Sequence, residues 1–478
     1  MENYDSLYQQ RRFVECENAC RSLLLANPKN TQVRHTLILT LEALGKVSVA
    51  IGECEALFAL VSKKEDKINV SEHQGKLAAS VKDYVTAIQS YQRSLEMDKK
   101  RYRTWIALGA CQYEINDYSG CAESILKGLA DASLDDTVYC EAIYFLTESN
   151  RSYKFSDLQR ISPRIKKPIS SAQYYFTVGN LLERQKNYEK ALASYDEANR
   201  LLRLRKPYNA QQEIQTVNRY IKVFDQSAIK KALRKFEDEH PIPIFIVGMP
   251  RTGSSLLEQM LGRHTKISPQ GEVKWLPESF VEHLGNVSTE TEFKDRCSSE
   301  EFILSVREQY FQKLKDIDTP YFTDKLPGNF AFLFLVKLAF PEAVVIRTSR
   351  NKLSNIWSCY KTPLWNGHSY SHSLPEAAAY FDLVESAVIR WREVFEDRFV
   401  EVVYEEFVEN PSGGIRQILN KLGLELEQSC IDNTSSVRIV RTASKNQVSQ
   451  PVYQHANDSS LNFEHLIRDR IPDTAWVS

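Results

Sequence analysis

Apolar, small and aromatic positions recur at fixed offsets through the first 200 residues. Phe13, Cys16, Cys20 and Leu23 line up with Tyr84, Ala87, Tyr91 and Ser94. The same frame holds Tyr118, Cys121, Ile125 and Gly128, then Tyr188, Ala191, Tyr195 and Ala198, and Val47, Ala50, Cys54 and Leu57. Offsets of three and four residues put each set on one helix face. The first small positions, 16, 50, 87, 121 and 191, are separated by 34, 37, 34 and 70 residues. A period near 34 predicts helix pairs that stack on one another. Gly75, Gly109 and Gly179 each precede an aromatic by nine residues. Small residues let the two helices of a pair approach, and large ones fill the groove between them.

After residue 240 the period changes. His240-Pro241-Ile242-Pro243 ends the helical region, because a residue before proline is pushed out of the αR conformation. Short apolar runs at Ile244 to Val247, Ala343 to Ile346 and Phe399 to Val403 predict buried strands. Helical patterns at Phe330 to Leu338 and Leu374 to Phe395 lie between them. Such alternation predicts an α/β domain with a parallel sheet. Pro28 and Trp105 stand where a tetratricopeptide repeat (TPR) has its proline and tryptophan, and the first part resembles a TPR array. The expected fold is therefore α plus α/β, an N-terminal all-α TPR solenoid followed by a P-loop-like α/β domain. The expected domains are 1–202 for the repeats, with residues 140–172 holding a degenerate pair, 203–240 for charged connecting helices and 241–478 for the α/β part. The basic run Lys230, Lys231, Arg234 and Lys235 reads as a solvated face.

Composition narrows the functions. The 478 residues are 42% hydrophobic and 26% charged, with a net charge of −1. That balance excludes a general nucleic-acid or membrane-surface binder, so an anionic ligand must meet a local basic site. Nine scattered cysteines contain no CxxC pair. Free thiols, a polar start at Met1 to Gln10 and the lack of a membrane-length apolar run imply a cytoplasmic protein with no metal site.

The candidate chemistry begins at IFIVGMPRTGSSLLEQML, Ile244 to Leu261. A strand, a tight turn and a helix start make an anion site from backbone N–H groups and the helix dipole. Ser254 or Ser255 is expected to cap this helix, whose apolar face is Leu256, Leu257, Met260 and Leu261. The spacing is nearly GxxxxGK[ST], but Ser254 replaces the lysine. A loop without that lysine is a poor cradle for ATP with Mg²⁺, which argues against a P-loop kinase or NTPase. Arg251 supplies a planar, bidentate charge instead. The next strand end carries Arg350, with Ser358 eight residues on, a second pair able to hold a phosphate.

Together these pieces resemble the sulfotransferases, and most closely a TPR-linked branch similar to protein-tyrosine sulfotransferases. The resemblance runs from Ile244 to about Tyr453. It implies 3′-phosphoadenosine 5′-phosphosulfate (PAPS) as donor. Arg251, Thr252, Gly253, Ser254 and Ser255 match the 5′-phosphosulfate loop, and Arg350 and Ser358 match the 3′-phosphate pair. Tyr404 in YEEFVENP, and RTASKNQVSQPVY at Arg441 to Tyr453, match further family segments. Glu272 after Gly271 takes the place of the family's general base, which burial is expected to tune. Lys325 in Asp324-Lys325-Leu326-Pro327 matches the leaving-group stabiliser, and Ser444 a second stabilising donor. Lys352 and Ser354 replace the family's usual Pro and Asp, Ser449 a commoner Arg, and Ala456 to Ser460 a basic-Trp segment, all on the adenosine side. Lys352 and Lys445 are the nearby charges able to compensate. His264, at the end of the loop helix, reads as a helix C-terminal histidine rather than a base.

The resulting expectation is a PAPS-dependent sulfotransferase acting by in-line displacement. Its acceptor is a hydroxyl, with protein tyrosine favoured by the resemblance over carbohydrates and small alcohols or phenols. The repeats are expected to engage that protein or peptide, or to mediate homo-oligomerisation. The alternative is a non-catalytic TPR interaction protein with a degenerate sulfotransferase domain.

Overall fold

The computed structural model describes residues 4–130, 135–149, 168–205, 208–237, 240–314, 317–364, 367–431 and 458–471. The chain divides into two compact units, Met1–Asn187 and Tyr188–Ser478.

The first unit is helical among its described residues. Its helices include Phe13–Ala26, Thr31–Ala43, Val47–Leu60, Lys64–Ser80, Tyr84–Met97, Tyr102–Glu114 and Tyr118–Gly128. The helix Asp136–Ser149 follows, and the degenerate pair expected across 140–172 lies in part outside the described residues. The small positions Cys16, Ala50, Ala87 and Cys121 are fully buried. A Cβ on Gly75 would come within 2.6 Å of the Tyr91 ring, and one on Gly109 within 2.8 Å of Ile125. These glycines let the paired helices touch through a large residue on one side only. The repeat also shows in the turns. Arg11, Gly45, Lys82, Asn116 and Lys186 all have positive φ, from 58° to 72°. Each lies two residues before the first member of its set. Lys46, Asp83 and Asp117 then donate their N–H back to Leu41, Ala78 and Gln112 carbonyls, each at 2.9 Å. This is a left-handed helix stop, which satisfies carbonyls that the helix leaves unpaired. Asp83 and Asp117 next cap the following helices, accepting from the Thr86 and Gly120 amides.

The helix Tyr188–Arg205 repeats the pattern, yet it belongs to the second unit, whereas the sequence boundary at 202 falls inside it. The physical reason is its buried face. Tyr195 packs edge-on against Trp357 at 5.6 Å, and Asn199 donates to the Tyr360 carbonyl at 2.9 Å. The helices Ala210–Val223 and Gln226–Ala232 follow and lead to the sheet.

Among the described residues, five strands form one parallel sheet: β1 (Ile242–Gly248), β2 (Ile267–Pro269), β3 (Tyr321–Asp324), β4 (Val344–Ser349) and β5 (Phe399–Val403), in the order β2-β3-β1-β4-β5. All neighbours are parallel, with Ile244 beside Val344 and Phe245 beside Asp324. Alternation splits the core. Ile244 and Ile246 join Leu257, Met260, Leu261, Ile346 and Ile415 on one face. Phe245 turns to the other, with the Tyr310 and Phe340 rings each at 6.0 Å. Since β1 is central, the loop leaving it is flanked by the carboxyl ends of β3 and β4. Open α/β sheets bind ligands in the crevice at such a place.

Candidate active site

The β1 loop is shaped by glycines where the backbone has no room. Gly248 has φ 138°, and a Cβ there would sit 2.4 Å from the Thr348 carbonyl. Gly253 has φ 82°, and its Cβ would strike the Tyr404 ring at 2.6 Å. Gly253 occupies the cap position of the helix Ser254–Leu261, and no side chain caps it. Ser254 and Ser255 fall inside the first turn, which corrects the expectation that one of them caps. Gly253, in the left-handed conformation, stands at the cap position instead.

Arg251 is left-handed, at φ 68°, an uncommon state for a residue with a side chain. Its Nε donates to Ser358 Oγ at 3.2 Å, and Arg350 donates to the Arg251 carbonyl at 3.2 Å. The Arg350 guanidinium lies 4.6 Å from the centre of the Tyr404 ring. Thus Arg251, Arg350, Ser358 and Tyr404, the first and last 153 residues apart in sequence (251 to 404), meet at the ends of β1 and β4. Two buried anchors hold the loop. Thr252 Oγ1 donates to the Met249 carbonyl and lies 2.7 Å from Thr348 Oγ1. Asn355 Nδ2 donates to the Pro250 carbonyl at 2.8 Å. Thr348 and Asn355 carry no motif, so only the fold reveals them.

The end of β3 carries the second group. Lys325 Nζ donates to Glu272 Oε1 at 2.6 Å. The lysine side chain is 1% exposed and the glutamate 43%. The burial expected around Glu272 is therefore absent. The buried carboxylates are its neighbours Asp324 and Glu258. Asp324 accepts from Tyr310 Oη at 2.8 Å, Asn329 Nδ2 at 3.0 Å and the Leu326 amide at 3.3 Å. Burial pushes its carboxyl up to about 7 against those bonds. Glu258 is raised by burial too, opposed first by the Lys325 charge. Burial lowers the proton affinity of His368, and the nearby Glu272 charge offsets this only in part. Its Nδ1 is 3.0 Å from Tyr370 Oη.

Other expectations resolve locally. His264 is buried. It accepts from the Lys266 amide at Nδ1 and donates through Nε2 to the Glu425 carbonyl, each at 3.0 Å. Both ring nitrogens are engaged in holding the chain. Lys352 is paired with Asp382 and lies over the Phe381 ring. Ser354 and Ser460 meet through their hydroxyls at 2.8 Å, and Ser459 Oγ accepts from Trp357 Nε1 and Lys361 Nζ. These two serines of the departing segment thus anchor the helix that carries Ser358. Ser444, Lys445 and Ser449 lie outside the described residues. Among the described residues there is no cluster of metal-ligating side chains, and no helix is long and apolar enough to cross a membrane. All nine cysteines are buried and none forms a disulfide.

The arrangement offers an anion-holding loop, two guanidinium groups, several hydroxyls and a carboxylate–ammonium pair, all at one sheet end. A protein of Aquifex aeolicus (strain VF5) described as uncharacterized is 27% identical over 319 residues, covering 64% of this chain. The match spans only 41% of that relative's length. The sulfotransferase domain of the Synechococcus PCC 7002 olefin synthase is 19% identical, covering 50% of this chain and 97% of its own, at a TM-score of 0.36. The C-terminal part of a TPR repeat-containing protein from Cytophaga hutchinsonii is 16% identical, covering 46% of this chain and 85% of its own, at a TM-score of 0.34. The model of the sulfotransferase family matches residues 243–428, the stretch from β1 past β5.

Proposed function

We propose that the second unit transfers a sulfuryl group from PAPS to an acceptor hydroxyl. The observation that carries this reading is the Glu272–Lys325 pair, 2.6 Å apart beside the arginine-lined loop, inside the stretch matching the sulfotransferase family. The residues present suit an anionic nucleotide. Arg251, Arg350 and Ser358 converge beside the N-terminus of the loop helix. Thr252, Gly253, Ser254 and Ser255 line the 5′ side in this reading, and Tyr404 packs on both Gly253 and Arg350.

In the mechanism Glu272 takes the proton from the acceptor oxygen, since a hydroxyl is a weak nucleophile until then. The new S–O bond forms as the S–O bond to the phosphate breaks. Lys325, a compact buried charge, faces the negative charge that grows on the departing oxygen. The same pairing keeps the base and the ammonium aligned before the acceptor arrives. Ser444 is proposed as a further donor on the strength of the motif alone. Protein tyrosine is the acceptor class we favour, by resemblance, with the helical repeats recruiting the protein that bears it or joining copies of the chain. The alternative, an interaction module with a degenerate domain, leaves the convergence of Arg251, Glu272, Lys325 and Arg350 without a purpose.

Calorimetry with 3′-phosphoadenosine 5′-phosphate (PAP), against ATP with Mg²⁺ as control, tests the donor. Transfer of ³⁵S from labelled PAPS into a cell lysate, followed by product identification, tests the acceptor. No PAP binding and no label transfer would dispose of the sulfotransferase reading.

A further inference from the structure

We propose that Glu258 is a positioning residue for the Glu272–Lys325 pair, acting through one carboxylate oxygen that fixes the turn before Glu272 onto the end of β3. The catalytic meaning of this rests on the functional reading above, but the geometry does not. Glu258 Oε1 accepts from the Gly271 amide at 2.9 Å and from Thr323 Oγ1 at 2.6 Å. Two further bonds zip the turn to the strand. Lys325 N donates to the Gly271 carbonyl at 2.9 Å, and Gln270 N donates to the Thr323 carbonyl at 3.3 Å.

Gly271 is left-handed, with φ 74°, and no atom lies near where its Cβ would be. Gly271 has no side chain to pack, so at this residue the turn is held by the hydrogen bonds above. Glu258 comes from the apolar helix Ser254–Leu261, whose Leu257 and Leu261 are fixed in the core. The carboxylate therefore transmits the position of the donor-loop helix to the turn that carries Glu272. It is 8% exposed, and Thr323 is fully buried. A buried carboxylate with such short bonds is costly to disrupt, since its partners would be left unpaired. The charges that face it include Lys325, which favours its ionised form, Glu272, which opposes it, and Asp324, whose proton affinity it raises.

Both bonds fall on a single oxygen, and this makes the idea testable. The amide oxygen of glutamine reproduces that acceptor, whereas alanine removes it. Three measurements on the full chain separate the roles. The first is trace acetylation of Lys325, read by peptide mass spectrometry, which needs no substrate. The second is PAP affinity by calorimetry. The third is release of ³⁵S-sulfate from PAPS with water as acceptor. In that reaction the water oxygen bonds to sulfur, the bridging S–O bond breaks, one water proton passes to Glu272, and sulfate and PAP depart.

Glu258→Ala should raise Lys325 acetylation several-fold and slow sulfate release about 10- to 100-fold, as small misplacements of reacting groups do. PAP affinity should stay within about twofold, because the phosphate-holding residues are untouched. Glu258→Gln should behave like the parent in all three. Thr323→Val, which deletes one of the two donors and nearly keeps the shape, should shift in the same direction as Glu258→Ala and serves if that variant does not fold. Unchanged Lys325 acetylation in folded Glu258→Ala and Thr323→Val overturns the proposal. So does a folded Glu258→Gln as impaired as the alanine variant, since charge rather than geometry would then matter. If the parent neither binds PAP nor turns PAPS over, the functional reading falls while the acetylation result still decides whether Glu258 holds the pair.

Discussion

Three side chains carry the sharpest consequences. Arg251 spends an unfavourable left-handed backbone to bring its guanidinium to Ser358. Arg251→Ala should weaken PAP binding by about 2 kcal/mol, the scale of a lost charge-assisted contact, and calorimetry reads this directly. Glu272→Gln keeps the shape and loses the proton acceptor. Its single-turnover transfer should fall about 10²–10⁴-fold with nucleotide affinity nearly constant. Transfer within a few-fold of the parent would remove Glu272 from the mechanism. It would not promote His264, whose ring nitrogens are both engaged, and would turn attention to His368. Asp324 yields a pH prediction. Burial raises its carboxyl from the ordinary 3.8 to about 7. Between those values the folded chain holds a proton that the unfolded chain has released, so this group's contribution makes stability fall as pH rises through the window. Asn at 324 imitates the protonated acid. Urea titrations from pH 4.5 to 8 should therefore show a smaller decline for Asp324→Asn than for the parent, and equal slopes would refute the assignment.

At the scale of elements, the repeats were legible because their rule is local. An aromatic, two small residues and a large one at helical offsets suffice to mark a helix that must pack closely. The strands β4 and β5 were legible as apolar runs. The strands β2 and β3, three and four residues long, were not, since so short a stretch carries no period. Nor could the sequence show which distant polar groups meet. Thr252 with Thr348, Asn355 with the loop, and Glu258 with Thr323 become neighbours only through the parallel order of the sheet. The repeated left-handed turn was only half visible, because Gly45 and Asn116 suit such a φ whereas Arg11, Lys82 and Lys186 do not. Lys82→Gly should leave the first unit as stable or raise its stability by up to about 1 kcal/mol, by relieving that strain. Gly75→Ala should instead cost about 1–3 kcal/mol, because the added methyl overpacks against Tyr91. Thermal unfolding of the two variants side by side checks the opposite signs.

For the whole molecule, the sequence foretold a helical array followed by an α/β domain, and the chain is built that way. It also foretold a boundary near 202, where the helical pattern of the last repeat stops. Periodicity could not tell which unit buries that last helix, since the same small and large residues suit either neighbour. Tyr195 and Asn199 answer it through their contacts with Trp357, Phe463 and the Tyr360 carbonyl. The helix that contacts them, Lys352–Tyr360, is the one that carries Ser358. A chain beginning at Tyr188 should therefore fold and bind PAP with nearly the affinity of the full protein. One beginning at 203 loses the buried Tyr195 ring and the Asn199 bond together. Loss of a large buried aromatic alone costs about 3–5 kcal/mol, a large part of the stability of an ordinary domain. The shorter chain should then be unfolded or show a sharply lowered melting temperature. If the 203 chain melts and binds PAP like the 188 chain, the helix Tyr188–Arg205 is dispensable to the second unit. If the 188 chain folds but fails to bind, the first unit contributes to the nucleotide site, and the division of labour proposed for the two units is wrong.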